Sequence, residues 1–199
     1  TLMRSSAASD VYKRQGEIMN LEIKNVSKTL PEYRQVIDLV KNSFPKEEQY
    51  PIWLLKLWAL KKNVHFWAYY QNDEFCGVSY LVSHEEMTFV LYLAVNNQVQ
   101  SKGYGSAILE TLKEKFSGKN ITLNIERLDP SADNYEQRVK RLKFYKKNGF
   151  YDTDYTITDR GETFLTLTTS PSFSVEVFKK VLRELTLGLD LLKIGKSES

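Results

Sequence analysis

Residues 88–106 read TFVLYLAVNNQVQSKGYGS and combine an apolar run with a glycine-containing segment. The run from Thr88 to Val95 is nearly all apolar, which is typical of a strand buried on both faces of a sheet. The segment from Gln100 to Ser106 follows a short polar loop. Apolar residues beyond it recur at helical spacing, at Ile108, Leu109, Leu112 and Phe116. We therefore predict a buried strand, a glycine loop and a helix in succession.

Strand and helix patterns extend on both sides of this unit. Before it, residues 20–25 alternate like a short strand, Thr29–Glu32 reads as a T-x-x-E capping box, and a second helix follows Pro51. After it come further strands and helices, and Ser174 to Lys193 reads as a terminal helix. The predicted order is β-α-α-β-β-β-α-β-α-β-β-α. This is an α/β (α+β) fold with a mixed sheet and helices on its faces.

The domain limits follow from length and local pattern. A chain of 199 residues is sufficient for one compact domain. Residues 1–18 show no apolar period and no apolar segment of a signal peptide, so we predict a leader of non-native or mis-annotated origin, or a disordered tail. An ordered segment is the alternative. Residues 19–199 are predicted to form a single domain, with a core over 19–169 and a C-terminal helix over 170–199.

Composition excludes several classes of function. Hydrophobic residues make up 42% and charged residues 27%, as in globular proteins, and no apolar stretch reaches the roughly 20 residues of a membrane span. The net charge of +3 is too weak to indicate nucleic-acid binding. Cys76, His65 and His84 lack the spacing of metal ligands, so we predict no metal. A single cysteine suits a reducing compartment, and we expect a cytoplasmic protein.

The glycine loop has two readings when it is taken alone. Unpaired amides at a helix N-terminus form an anion site, and glycine lets a phosphate approach the backbone closely. Lys102 would add a positive charge. A tight strand-to-helix turn is the other explanation. The spacing matches neither the dinucleotide-binding fingerprint, which needs a third glycine, nor the Gly-Lys-Ser/Thr of a Walker loop.

Two segments together resemble a known family. The pattern Q-x-x-G-x-G at Gln100, Gly103 and Gly105, following LYLAV, resembles the acetyl-CoA signature of the GNAT superfamily (GCN-five-related N-acetyltransferases). FYKKNGF at residues 144–150 resembles the family's F/L-Y-x-x-x-G-F segment. Arg138 stands, however, where many members have asparagine.

The stretch from Glu126 to Tyr145 also has Arg141 in place of the alanine that many members carry. An acidic strand end followed by R-x-x-R-x-x-F-Y is similar to a bacterial branch of the family with unassigned substrates. Arg138 and Arg141 are expected to contact the CoA phosphates or to pair with Glu126.

The resemblance implies an activity and a donor site. It implies an acetyl-CoA-dependent N-acetyltransferase that moves an acetyl group to a primary amine by direct transfer in a ternary complex. The alternative is a non-catalytic acyl-CoA-binding regulatory module. The sheet would be mostly antiparallel and splayed into a V, with the pantetheine arm paired to Leu93, Ala94 and Val95. The pyrophosphate would take the amides of the glycine loop, which are those of Gln100, Ser101, Lys102, Gly103, Tyr104, Gly105 and Ser106.

The resemblance also implies catalytic residues. Tyr145 matches a tyrosine near the CoA sulfur that protonates the leaving thiolate, whereas its ordinary role would be core packing. Glu126 ends the strand after the loop and is a candidate to accept the amine proton. The alternative role for Glu126 is a structural one, in an ion pair with Arg127, Arg138 or Arg141.

The acceptor is less well specified. Glu47 and Glu48 lie between the first two predicted helices, where they would form an acidic rim that attracts an amine. An ordinary charged loop is the alternative for both. We expect a small-molecule or peptide amine as the partner, with no nucleic acid and no membrane. The apolar stripe of the terminal helix is covered by its own domain or by a second copy, so a monomer and a homodimer both stay open.

Overall fold

The computed structural model describes residues 19–99, 102–159, 161–185 and 192–196. The predicted leader over residues 1–18 lies outside the described residues. No helix in the described part of the chain has both the length and the apolar character that crossing a membrane requires.

Within the described residues, five α-helices and eight strands form an α/β fold. The helices are α1 Tyr33–Ser43, α2 Ile52–Trp58, α3 Tyr104–Lys115, α4 Tyr135–Lys147 and α5 Val175–Leu185. The strands are β1 Glu22–Asn25, β2 Val64–Gln71, β3 Glu74–His84, β4 Met87–Val95, β5 Asn120–Glu126, β6 Tyr151–Asp159, β7 Glu162–Thr168 and β8 Lys193–Lys196. A short 3₁₀ helix, Lys46–Glu48, lies between α1 and α2.

The strands form a single sheet in the order β1-β2-β3-β4-β5-β7-β6-β8. Every neighbouring pair is antiparallel except β4 and β5, which are parallel and joined through α3. The mixed, mostly antiparallel sheet that the sequence predicts is confirmed. The nearly apolar β4 lies at its centre, since a strand with neighbours on both sides and helices over both faces needs no polar face.

The sheet splays between β4 and β5. Their pairing covers only Met87–Val90 and Asn120–Leu123, so the C-terminal parts of both strands diverge. A bulge in β4 lies at the same level: Tyr92 pairs with Tyr80 and Val90 with Leu81, which leaves Leu91 as the extra residue. A bulge bends its strand and ends regular pairing. The V-shaped opening of the sheet therefore begins at Leu91.

Two hydrophobic cores cover the two faces of the sheet. The first packs α1, α2 and α5 on one face, with Val36, Leu55 and Phe178 fully buried. The second packs α3 and α4 on the other face, around Ile108, Leu112 and Phe150. Because β4 and β5 diverge, the gap between them connects the two cores.

The C-terminal segment differs from its prediction. The described helix covers Val175–Leu185, and residues 186–191 lie outside the described residues. Where the sequence predicts helix, Lys193–Lys196 form β8 at the sheet edge, paired with β6. The helical spacing of the leucines predicts a helix as far as Lys193. Spacing alone carries no information about the pairing of Lys193–Lys196 with β6. The apolar face of α5 is buried in the first core through Phe178, Val181, Leu182 and Leu185, so its own domain covers this stripe.

The predicted capping box is also wrong. Helix α1 begins at Tyr33, and its N-cap, Glu32, makes no capping hydrogen bond through its side chain. The Glu32 carboxylate instead accepts a hydrogen bond from the Tyr70 hydroxyl at 2.9 Å, while the hydroxyls of Thr29 and Ser27 bond to each other. A buried strand tyrosine provides a partner that the local sequence does not reveal.

Candidate active site

A cleft with about 1030 Å³ of empty space, part of it open to solvent, runs through the gap between β4 and β5. Its walls include Phe89–Leu93 of β4 and Leu123–Glu126 of β5. Tyr145 lines it from the second core, whereas Phe44 and Leu182 line it from the first. The cleft therefore offers two compartments, one on each face, that meet at the splay.

The glycine loop has the geometry of an anion site. Gly103 is the N-cap of α3 in the left-handed conformation, at φ +85°, which glycine adopts without strain. Ala107 N–H donates to the Gly103 carbonyl, so the amides of Tyr104, Gly105 and Ser106 precede the first helical hydrogen bond. The first turn carries no side-chain cap and no acidic residue. Such a helix end is compatible with a pyrophosphate.

The remaining residues of the predicted donor site are distributed around this helix end. Lys102 is exposed and forms an ion pair with Glu74 at 3.5 Å. Leu93, Ala94 and Val95 form the diverging end of β4, and Leu93 lines the cleft. Gln100 and Ser101 lie outside the described residues.

Gly105 connects the two segments that carry the family resemblance. A Cβ at this position would lie 3.0 Å from Cζ of Phe144 on α4 and 3.5 Å from a methyl group of Val95. Contacts of about 3.0 Å are too short for a methyl group against a packed ring. The second glycine of the loop therefore lets α3 pack closely against α4 and the end of β4, independently of any ligand.

Gly77 of β3 is a residue that the sequence analysis missed. A Cβ there would lie 2.6 Å from the Ala94 carbonyl oxygen and 2.8 Å from Cδ1 of Ile108. Gly77 pairs with Val95, so it lies beside the diverging end of β4. A glycine within a predicted strand is the signal that points to such a close approach.

Tyr145 is buried and faces the cleft. Only 9% of the residue is exposed, and its ring contacts those of Phe144 and Phe150 at centroid distances of 5.2 and 5.5 Å. Burial raises the pKa of Tyr145 to about 12, with the charge of Arg141 acting in the opposite direction. The two roles considered for this residue are compatible, since its ring packs in the second core while the residue lines the cleft.

Glu126 is held in a network of polar contacts. Its carboxylate accepts hydrogen bonds from Asn134 Nδ2 at 2.9 Å and from Arg141 Nη1, and Arg138 Nη2 lies 3.6 Å from Oε1. Arg138 also donates to Asn134 Oδ1 and to the Arg127 carbonyl. Of the alternatives left open for the two arginines, the structure has the ion pair with Glu126. The oxygens of Glu126 are therefore occupied by charge-assisted hydrogen bonds.

This network leads to a prediction for Glu126→Gln. Removing the charge leaves Arg138 and Arg141 without their carboxylate, at a cost of about 1–2 kcal/mol for these partly exposed groups. The expected decrease in Tm is roughly 2–8 °C for a chain of this size. Glu110→Gln is the control, because its ion pair with Lys113 on α3 is exposed and contributes little. Equal Tm values for both variants would contradict a structural role for the network.

The two glutamates predicted to bind substrate separate in the structure. Glu47 is exposed and is not among the residues that line the cleft, whereas Glu48 is half-buried and lines it. Burial raises the pKa of Glu48 to about 6, and the charge of Glu126 adds to this rise while Arg141 opposes it. The structure therefore brings Glu48, Glu126 and Tyr145 to one cleft but leaves Glu47 outside.

Tyr92 holds the segment around Glu48 against β4, which the sequence analysis also missed. Its hydroxyl donates to the Glu48 carbonyl at 2.8 Å and accepts from the Tyr50 N–H at 2.9 Å. Its ring contacts Phe44 at a centroid distance of 4.7 Å. In sequence Tyr92 is one of several apolar residues in a buried strand, so no local signal distinguishes it.

The family comparison agrees with this geometry. The family model for the acetyltransferase (GNAT) domain matches residues 62–152. This segment of the chain is similar to a GNAT acetyltransferase domain. The GNAT match spans the bulged strand β4, the glycine loop, α3 and α4, so it includes the compartment of the cleft on the face of the second core. Glu48, β7 and α5 lie outside the matched segment.

Solved structures of GNAT proteins share the fold. A Bacteroides thetaiotaomicron protein described as a GNAT-family acetyltransferase superposes with a TM-score of 0.67 at 21% identity, covering 86% of this chain and 99% of its own. An Elizabethkingia anophelis GNAT acetyltransferase with acetyl-CoA bound gives 0.52 at 17% identity, with 76% and 98% covered. The ribosomal-protein-S18-alanine N-acetyltransferase of Escherichia coli gives 0.56 at 16%, with 79% and 97% covered.

At these low sequence identities, the superpositions show that this chain shares the fold of the three structures. No curated protein matches the chain by sequence.

Proposed function

We propose that residues 19–199 act as one N-acetyltransferase domain that moves an acetyl group from acetyl-CoA to a primary amine, by direct transfer in a ternary complex. The observation that carries this proposal is the cleft through the splay of β4 and β5, which reaches both faces of the sheet. A donor on the face of α3 and α4 and an amine on the face of α1 and α5 would meet there. The proposal includes a cytoplasmic location and a monomer or homodimer.

The donor compartment fits the group that it would hold. Acetyl-CoA supplies the acetyl group as an activated thioester. The uncapped amides of Tyr104, Gly105 and Ser106 would bind the pyrophosphate, with Lys102 adding a charge. The backbone from Leu93 to Val95 would pair with the pantetheine arm where β4 diverges from β5. The shared fold of the Elizabethkingia anophelis enzyme, which binds acetyl-CoA, supports this assignment.

Few protein groups are needed for the transfer. Holding an amine and a thioester in reacting geometry supplies roughly 7–11 kcal/mol of the barrier reduction. A tyrosine with a pKa of about 12 keeps its proton at neutral pH, so Tyr145 is suited to donate to the departing thiolate. The amine must also lose a proton, which requires a base on the acceptor face.

The charge of the cleft favours a cationic acceptor. Among the residues that the structure describes, three carboxylates line it, from Glu48, Glu126 and Asp159, against the single guanidinium of Arg141. An excess of negative charge in a cleft attracts protonated amines. The name of the Escherichia coli enzyme specifies an alanine of ribosomal protein S18 as its acceptor. Small amines and peptide N-termini are both included in the proposed substrate class.

Thermal unfolding in the presence of acetyl-CoA tests the donor site. Acetyl-CoA at about 100 times its dissociation constant is expected to stabilise the folded protein by about 2.7 kcal/mol. This corresponds to an increase in Tm of roughly 5–11 °C for a chain of this size. Free CoA should give a similar shift and NAD none, because the pantetheine arm and its pyrophosphate are common to both CoA forms. An unchanged Tm at millimolar acetyl-CoA would contradict the donor site.

Thiol release with an acceptor panel tests the transfer itself. Phenethylamine, spermidine and a short peptide with a free α-amino group represent aromatic, polycationic and peptide amines. Release of CoA that depends on the amine supports the enzyme. A clear thermal shift with acetyl-CoA, combined with no amine-dependent release for the whole panel, would instead favour a non-catalytic acyl-CoA-binding module.

A further inference from the structure

The segment around Glu48 is fixed at the mouth of the splay by backbone hydrogen bonds. Tyr92, next to the extra residue of the β4 bulge, holds the Glu48 carbonyl and the Tyr50 amide. The Gln49 side-chain amide donates to the carbonyls of Lys41 and Phe44, at 2.8 and 2.6 Å. The short helix therefore has a defined position relative to both α1 and β4, and Glu48 lines the cleft from that position.

Glu48 and Tyr145 line the cleft from opposite faces of the sheet. Phe44 and Tyr50, on either side of Glu48, pack against the first core, whereas Tyr145 belongs to the second. A reaction at the splay needs a proton donor on the side of the thiolate and a proton acceptor on the side of the amine. The two residues are arranged in this way.

Glu48 and Glu126 differ in what surrounds their carboxylates. Glu126 accepts hydrogen bonds from Asn134 and Arg141 and lies near Arg138. Among the described residues, the Glu48 carboxylate has no hydrogen bond and no ion pair within 4.0 Å. The oxygens of Glu126 are therefore occupied by protein donors, whereas a desolvated carboxylate beside a second carboxylate holds a proton more strongly.

We propose that Glu48 is the catalytic base that takes the proton of the acceptor amine, and that Glu126 is a positioning residue that holds α4 through Arg138 and Arg141. This inference rests on the proposed acetyl transfer and adds a role that lies outside the segment matched by the family model. It replaces Glu126 as the residue that contacts the reacting nitrogen.

Protons and electrons balance in the proposed step. The ammonium group of the acceptor transfers one proton to the Glu48 carboxylate, which later releases it to water. The neutral nitrogen attacks the thioester carbonyl carbon, a C–N bond forms, and the C–S bond breaks with its electron pair on sulfur. The nitrogen loses its second proton to water, and the thiolate gains a proton from Tyr145, which water then reprotonates. The products are an amide and free CoA.

The pH profile of the wild-type enzyme follows from the groups around Glu48. Burial raises the pKa of Glu48 to about 6, so kcat/KM is expected to fall below about pH 6, where the carboxyl group is protonated. The charged groups that face it are Glu126 on β5, Glu162 on β7 and Arg138 and Arg141 on α4. Asp159 of β6 lines the same cleft.

The decisive variant is Glu48→Gln, which keeps the size of the side chain and removes the base. With phenethylamine, spermidine and the peptide as probes, kcat at pH 7 is expected to fall by about 10²–10⁴-fold. The decrease in kcat should become smaller at high pH, where the amine loses its proton to water.

Glu126→Gln should move the acidic limb of the pH profile of kcat/KM to lower pH, because one of the charges that raise the pKa of Glu48 is gone. Glu86→Gln, on the exposed turn between β3 and β4, is the control and should match the wild type.

Thermal unfolding measures the titration of Glu48 without any acceptor. Its pKa is raised in the folded protein from 4.5 to about 6, so the wild type loses stability as the pH increases through this range. The glutamine variant lacks this loss, and its Tm relative to the wild type should increase between about pH 4.5 and 6 and then stay constant. Its thermal shift with acetyl-CoA should equal that of the wild type, which shows that the donor site is intact.

The outcomes separate this inference from the proposed function. If Glu48→Gln keeps the wild-type kcat and acidic limb, Glu48 is not the base, while acetyl transfer itself stands. An increase in KM alone would reduce Glu48 to an electrostatic attractor and also overturn the inference. A wild-type protein that binds acetyl-CoA but releases no CoA with any of the three probes would overturn the proposed function and the inference together.

Discussion

Tyr145→Phe is expected to lower kcat by about 10²–10⁴-fold, the usual contribution of a positioned proton donor. The substitution removes the hydroxyl group and leaves the ring in its contacts with Phe144 and Phe150. Acetyl-CoA affinity should therefore change by less than about tenfold, or 1.4 kcal/mol. Single-turnover kinetics with acetyl-CoA and phenethylamine measure the chemical step directly, and the thermal shift with acetyl-CoA measures binding.

Tyr151→Phe is the matched control for this experiment. Tyr151 begins β6 and is 53% exposed, so loss of its hydroxyl should leave both kcat and Tm close to the wild-type values. Equal kcat for Tyr145→Phe and the wild type would reduce Tyr145 to a core residue. The proton for the thiolate would then come from solvent.

Gly77→Ala is expected to destabilise the fold and weaken acetyl-CoA binding at the same time. The new methyl group would lie 2.6 Å from the Ala94 carbonyl oxygen, which belongs to the backbone and cannot rotate away. Overpacking of this kind costs typically about 1–3 kcal/mol, or roughly 2–12 °C in Tm. Because relief of the contact moves the end of β4, the predicted pairing of Ala94 and Val95 with the pantetheine arm is also lost.

Gly118→Ala is the control that distinguishes the clash at Gly77 from the general effect of replacing a glycine. Gly118 has a φ of +84°, and no atom lies within 4 Å of the position that a methyl group would take, so alanine there meets backbone strain without a clash. It should lower the free energy of unfolding by about 1–2 kcal/mol and leave the acetyl-CoA shift intact. If Gly77→Ala also keeps the full increase in Tm with acetyl-CoA, acetyl-CoA binding tolerates a displaced end of β4 and the prediction is wrong.

Much of the fold can be predicted from periodicity. The apolar run Thr88–Val95 indicates a strand buried on both faces, and β4 is that strand. The glycine loop and the helix after it follow from local backbone chemistry, as the left-handed Gly103 shows. Prediction fails where an element depends on a distant partner. The 3₁₀ helix that ends at Glu48 is held by Tyr92 of β4, and the edge strand β8 is paired with β6. Neither contact leaves a pattern in the local sequence.

The sequence points more clearly to candidate residues on the face of α3 and α4 than to those on the face of α1 and α5. Gly103 and Gly105 stand out in the sequence, and Tyr145 is marked by the segment around it. The difference between Glu47 and Glu48 depends on which of two adjacent side chains is turned into the cleft, and sequence gives no sign of it. The pairing of Glu126 with Arg141 was one of the open alternatives, and deciding it required the position of α4 relative to β5.

The two sides of the cleft are built from different parts of the chain. The strand, loop and helices that would bind acetyl-CoA lie between residues 62 and 152, the segment that the family model matches. The walls on the other face come from Phe44, Glu48 and Tyr50 before this segment and from Phe164, Leu182 and Leu185 after it. Mutations at the two ends of the gene would thus change the proposed acceptor compartment while the proposed donor compartment is preserved. Inheritance of the central segment alone is therefore a poor guide to the chemistry of the other compartment.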